Sequence, residues 1–236
     1  MSTSLPEYAE LHCVSNFSFL RGASHPAELI EQAQALGYSA LAITDECSLA
    51  GIVRAHVAAK EQGFKLIVGS EVSLADGPKL VLLATDRESY ANLCELITLG
   101  RRRAKKGAYR LTCADLDAGL PGCLALLVPA RRIEPGHAHW LADRFPGRAW
   151  IAVELHYGAR DKAHLAELSA LGEACGLPLV AAGDVHMHAR SRRALQDTLT
   201  ATRIGTPVAS AGHALYPNAE RHLRRRVRLG RSIRRR

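Results

Sequence analysis

Short apolar runs alternate with amphipathic stretches along most of this 236-residue chain. Runs at 8–13, 40–44, 65–71, 80–84, 123–128, 149–155 and 178–182 are too short for helices and are bounded by turn residues, so they predict seven strands. Between them the apolar spacing changes to a helical one. Residues 29, 30, 33 and 36 form one face of a helix that opens at Ser24-His25-Pro26 and stops at Gly37. Further helices are predicted over 49–62, 87–99, 136–144, 159–175 and 189–203, with a short capped turn at 112–115. Strands alternating with helices predict an α/β fold with a parallel sheet. Seven strands in a chain of this length suit an irregular (βα)7 barrel better than a doubly wound sheet.

In such barrels the functional groups gather at the C-terminal ends of the strands. Here those ends carry His12, Asp45, Glu71, Glu154 with His156, and Asp184 with His186. If the backbone stays extended after the last strand, Asp184, His186 and His188 share one side. Oxygen and nitrogen donors converging there suit a divalent metal such as zinc, manganese or iron. The plainer alternative is a loop whose polar groups cap a helix beginning near Ala189.

Composition narrows the setting. No apolar run reaches the roughly 18 to 20 residues of a membrane helix, and residues 1–10 do not read as a signal sequence. Six cysteines are scattered without a Cys-x-x-Cys pair, which predicts reduced thiols and a cytoplasmic protein. The net charge of +8 is local: nine arginines lie within residues 221–236, and without them residues 1–220 carry a formal −1. The expected organisation is a folded domain over 1–220 and an arginine-rich, disordered tail over 221–236. A second basic cluster, Arg101, Arg102, Arg103, Lys105 and Lys106, is expected in a loop. Either segment could touch a phosphate backbone without sequence preference.

The strand-end residues carry a resemblance. His12-Cys13-Val14 with Ser18 and Gly22, then Ile43-Thr44-Asp45, Gly69-Ser70-Glu71 and Gly183-Asp184-Val185-His186, resemble the successive motifs of a PHP (polymerase and histidinol phosphatase) domain. The phrases Tyr8-Ala9-Glu10-Leu11-His12-Cys13, Val153-Glu154-Leu155-His156 and Asp184-Val185-His186-Met187-His188-Ala189-Arg190 are similar to the N-terminal PHP domain of bacterial error-prone DNA polymerases of the polymerase III alpha type. The similarity extends from residue 7 to Leu223. It implies a distorted seven-stranded barrel whose metals activate a water against a phosphoester. It also implies metal ligation by His12, Asp45, Glu71, Asp184 and His186; Glu46 could still bind as a carboxylate, while His156 and His188 fall outside the matched motifs and their role stays open. The implied partners are the polymerase's catalytic domains, other replication or repair subunits, and DNA, but no membrane.

The departures from the motif shape the functional expectation. Val14 stands where the family has a second imidazole, Arg21 where it has an acid, Glu46 where it has a histidine, and Lys79 where many relatives have another histidine. A centre missing several ligands binds metal weakly and catalyses poorly. The expectation is therefore a vestigial metal site with no assigned catalytic residue. The domain would belong to a polymerase of DNA replication and damage-associated translesion synthesis, in a reading frame cut short before the polymerase domains. The alternative is a stand-alone metallophosphoesterase in which His156 or His188 acts as general acid.

Overall fold

The apolar runs form a single seven-stranded sheet whose hydrogen-bonded order follows the chain, in a computed structural model that describes residues 7–130 and 134–229. Its strands are β1 (Ala9–Glu10), β2 (Ala40–Ile43), β3 (Leu66–Ser73), β4 (Lys79–Leu83), β5 (Leu124–Val128), β6 (Ala149–Val153) and β7 (Leu179–Ala181). The helices are α1 (Pro26–Ala35), α2 (Ile52–Glu61), α3 (Arg87–Arg102), α4 (Pro135–Arg144), α5 (Asp161–Cys175) and α6 (Arg193–Ile204). The sheet curls until the residues that follow β1 and β7 meet. Val14 N donates to Val185 O and Val185 N to His12 O, each at 2.9 Å, in a parallel bridge. The irregular barrel expected from the alternation is thus closed at the end where the parallel strands finish.

One strand departs from the parallel expectation. β4 pairs antiparallel with both β3 and β5. A parallel crossover needs about a dozen residues or more, and the turn at 74–78 is too short for one. A hairpin is the only connection left. Its consequence is chemical: Lys79, the first residue of β4, lies at the same rim as the C-terminal ends of its neighbours. Glu71 also sits inside β3 rather than at its end.

Small and aliphatic side chains fill the barrel, among them Ala42, Val81, Leu126, Ala152 and Ala182. Outside it, Leu29, Ile30 and Ala33 of α1 and Ile52 and Ala55 of α2 pack on Leu41 and Ile43. Leu93 and Leu96 of α3, Leu141 of α4 and Leu168 of α5 pack with Leu80, Leu82 and Ile151. Each fully buried leucine or isoleucine contributes about 1.5–3 kcal/mol, so this shell holds the rim in place. Among the described residues no helix is long and apolar enough to cross a membrane.

The two basic segments differ from their expected form. α3 continues through Arg102, so the cluster begins in a helix rather than a loop. Arg101 donates to Cys47 O at 3.0 Å and to Glu46 O at 2.9 Å, and Arg103 pairs with Asp115 at 2.6 Å. Arg102, Lys105 and Lys106 remain exposed. The described part of the presumed tail, 221–229, packs on the barrel. Leu223 and Leu229 enter the core beside α1, and the buried Arg224 donates to Leu155 O at 2.8 Å. The arginine count concealed two core leucines. Residues 230–236, the rest of that expectation, lie outside the described residues.

Candidate metal centre

Four rim segments bring ionisable groups together, and the loop at 15–22 gives the first of them its shape. Asp45, just past β2, faces this loop. Its carboxylate accepts from Ser15 N at 2.8 Å, Ser15 Oγ at 2.7 Å and Ser18 Oγ at 2.7 Å. The loop folds back so tightly that a Cβ on Gly22 would lie 1.9 Å from Ser15 O, and Leu20 takes a left-handed φ of 57°. Only glycine tolerates the first contact. Burial pushes the Asp45 carboxyl above its usual range, against the serine hydrogen bonds that lower it. Asp45 is therefore a fastener for the loop, and the loop carries Arg21 over the rim.

His12 lies at the centre. Its Nδ1 is 2.6 Å from Glu154 Oε1, its Nε2 is 2.7 Å from Glu71 Oε2, and the same Nε2 is 3.8 Å from Asp184 Oδ1. Burial alone would lower the His12 pKa, but Glu154 and Glu71 raise it above the ordinary imidazole value. One ligand atom each from His12, Glu71 and Asp184 would fall within 4.8 Å of one another, a grouping able to hold a metal ion. Glu10, which strand spacing did not single out, braces this region from beneath. It accepts from His12 N at 3.1 Å and from Gly183 N at 2.7 Å.

The same carboxylates already hold cations. Glu71 is 2.6 Å from Arg21 Nη1 and 2.6 Å from Lys79 Nζ, and Arg21 also reaches Glu46 at 2.5 Å. Asp184 pairs with Arg221. Burial would raise the Glu71 pKa, yet His12, Lys79 and Arg21 together hold it well below the usual carboxylate range. His12 likewise brings Glu154 down to about 2 against its burial. Four carboxylates thus face three fixed cations and an imidazole drawn toward its charged form. A divalent ion placed between His12, Glu71 and Asp184 would meet those positive charges at contact range, where unscreened repulsion is strongest.

The remaining expected residues sort by backbone geometry. The extended run at 184–188 does not form, because Asp184 adopts φ 43°. Left-handed backbone is uncommon outside glycine but enriched at Asp, and here it breaks the two-residue side-chain period. Asp184 and His186 still meet, at 2.9 Å, whereas His188 turns away to Ser24 Oγ at 2.8 Å. His186 is buried and pushed down to about 3, by burial first and Arg21 second. His156 donates from Nε2 to Gly183 O at 2.9 Å and is pushed down to about 4, mainly by burial. Arg221 was hidden in the arginine-rich composition. Leu223, two residues on, and Leu229 were the apolar signals that this stretch is packed.

Residues 10–126 match the PHP domain family. The chain is 62% identical over 233 residues to the error-prone DNA polymerase of Dechloromonas aromatica, which covers 97% of this chain and 23% of that protein. It is 61% identical over 217 residues to that of Pseudomonas aeruginosa, covering 92% of this chain and 21% of the relative. The chain therefore spans less than a quarter of the length of these relatives. Among solved structures it resembles a protein of Bifidobacterium adolescentis designated a metal-dependent phosphoesterase, with TM-score 0.58, 15% identity and coverage of 78% and 89% of the two chains. It also resembles an amidohydrolase of Chromobacterium violaceum with bound sulfate and no metal, with TM-score 0.55, 18% identity and coverage of 75% and 87%. These two likenesses establish the fold. The motifs at the rim and the identity along nearly the whole sequence agree: this chain is a PHP domain of the kind found in error-prone DNA polymerases.

Proposed function

We propose that this PHP domain serves as a non-catalytic scaffold of an error-prone DNA polymerase acting in replication and damage-associated translesion synthesis in the cytoplasm. The observation that carries this reading is the environment of Glu71. A carboxylate placed to share a metal with His12 and Asp184 instead has Arg21 and Lys79 each at 2.6 Å. Internal cations do the electrostatic work of a metal cluster, but a guanidinium or ammonium does not coordinate and ionise a water as a metal does. The vestigial ligand set is His12, Asp45, Glu71, Asp184 and His186, with Asp45 committed to the serine loop. Nucleotide addition belongs to polymerase domains outside this chain's span, and those domains are the natural partners. Contact with DNA through Arg102, Lys105 and Lys106 is at most non-specific.

The competing reading is an independent metallophosphoesterase, favoured by the His12–Glu71–Asp184 grouping. Elemental analysis of the purified chain, with hydrolysis of a chromogenic phosphodiester, separates the two. The scaffold reading expects far less than one zinc, manganese or iron per chain and no turnover. One or more tightly held ions, with turnover abolished by Asp184→Ala, would establish the enzyme instead.

A further inference from the structure

We infer that the rim of the barrel is a dock for the segment 216–229, with Arg221 as its anchor, so that this segment and a divalent metal are mutually exclusive occupants of the same carboxylates. The inference rests on the reading above that ion pairs have replaced the metal cluster. It adds a role for the replacement: holding the polypeptide that leaves the barrel.

The backbone of this segment returns to β7's extension beside the site. His186 N and Met187 N both donate to Arg221 O, at 2.9 and 3.2 Å, and Leu223 N donates back to Met187 O at 3.3 Å. This pairing turns the Arg221 side chain inward, onto Asp184. Its guanidinium lies 4.2 Å from the centroid of the Tyr216 ring, and that ring meets His186 edge-on at 5.3 Å. Asn218 donates to His156 O at 2.6 Å, so the approach to Arg221 is tied as well. Beyond it, Leu223 enters the core, Arg224 reaches Leu155 O, and Tyr38 Oη donates to Arg224 O at 2.7 Å.

The exclusivity follows from charge. A guanidinium withdrawn from water is stable only beside the carboxylates that face it, here Asp184 with Glu154 nearby. An ion that took Asp184 for itself would leave the largely buried Arg221 with Glu154 alone as its counter-charge and would weaken the segment's hold on the rim. Linkage makes the effect reciprocal: a docked segment weakens metal binding by the same factor.

Hydrogen exchange of the full chain, read by mass spectrometry on peptides covering 216–229, tests this together with zinc uptake by equilibrium dialysis. In the wild type the segment should be protected and should stay so in excess zinc. In Arg221→Met, protection across 216–229 should fall by about tenfold or more while β2, β5 and β6 keep theirs, and zinc uptake should rise. If Arg221→Met does not fold, Asp184→Asn removes the charge while keeping the shape and should release the same segment. Unchanged protection of 216–229 in the folded variant overturns the inference and leaves the scaffold reading intact. Stoichiometric zinc in the wild type with the segment still protected overturns both.

Discussion

Asp45, just past β2, and Glu71, within the neighbouring β3, face one rim, are equally buried, and are satisfied by opposite means. Asp45 takes three neutral hydrogen bonds from Ser15 and Ser18. Glu71 takes charge, from Arg21, Lys79 and His12. Burial pushes the first carboxyl up, and its cationic neighbours hold the second well down. The contrast separates two jobs that one metal cluster would combine. Neutral donors fix where a loop sits. Fixed cations hold a cluster of negative charge that would otherwise repel itself.

The largest expected effect is at Glu71. Glu71→Ala would take from Lys79 its 2.6 Å partner and leave Arg21 with Glu46 alone, at a cost of about 3–5 kcal/mol, as for other broken buried pairs. Asp45→Asn keeps the shape but gives up hydrogen bonds, and should cost about 1–3 kcal/mol. Urea unfolding monitored by circular dichroism measures both. Equal losses would break the distinction between the two sites.

A double-mutant cycle sharpens it. Lys79→Met in the wild type leaves Glu71 under-compensated, whereas in Glu71→Gln it removes a cation that has lost its partner. The two substitutions together should therefore be less harmful than the sum of their separate costs, with a coupling of about 0.5–3 kcal/mol. Strict additivity would mean that Lys79 does not compensate Glu71.

What the sequence revealed depended on whether an interaction is local. Alternation along the chain was enough for seven strands and a barrel, and the expected strand ends pointed to His12, Asp45, Glu71 and Asp184 without any partner being known, although β3 runs on past Glu71 to Ser73. The antiparallel turn of β4 was legible in principle from the brevity of 74–78, yet the alternating pattern of strands and helices favoured a parallel reading. Lys79 stood out as a departure from a motif, but only that turn places its ammonium on Glu71. The kink at Asp184 was not singled out by the residue pattern, since aspartate is enriched in left-handed backbone yet still uncommon there. Arg221 was obscured by its neighbours: composition describes a segment, and burial belongs to single residues such as Leu223 and Arg224.

The smallest effect is the pH response, which tells the two carboxylates apart by sign. From pH 6.5 downward the wild type should lose stability, because His186 and His156, held near 3 and 4 when folded, stay neutral while the unfolded chain takes up protons. Each group contributes at most about 1.4 kcal/mol per pH unit. His12 acts oppositely, its stabilisation complete below about 6.5 and lost as pH rises through its elevated folded value. Against this background, Asp45 binds its proton in the folded state at a higher pH than in the unfolded one, so acid relieves its burial in the wild type only. The stability gap between the wild type and Asp45→Asn should therefore widen as pH falls toward 4. Glu71 stabilises above its unfolded value of about 4.5 and loses that contribution as pH falls through its depressed folded value. The gap between the wild type and Glu71→Gln should accordingly narrow below pH 4.5. Unfolding midpoints for the three proteins across this range decide the matter, and gaps that move in the same direction would show that neutral and cationic satisfaction are not distinct at this rim.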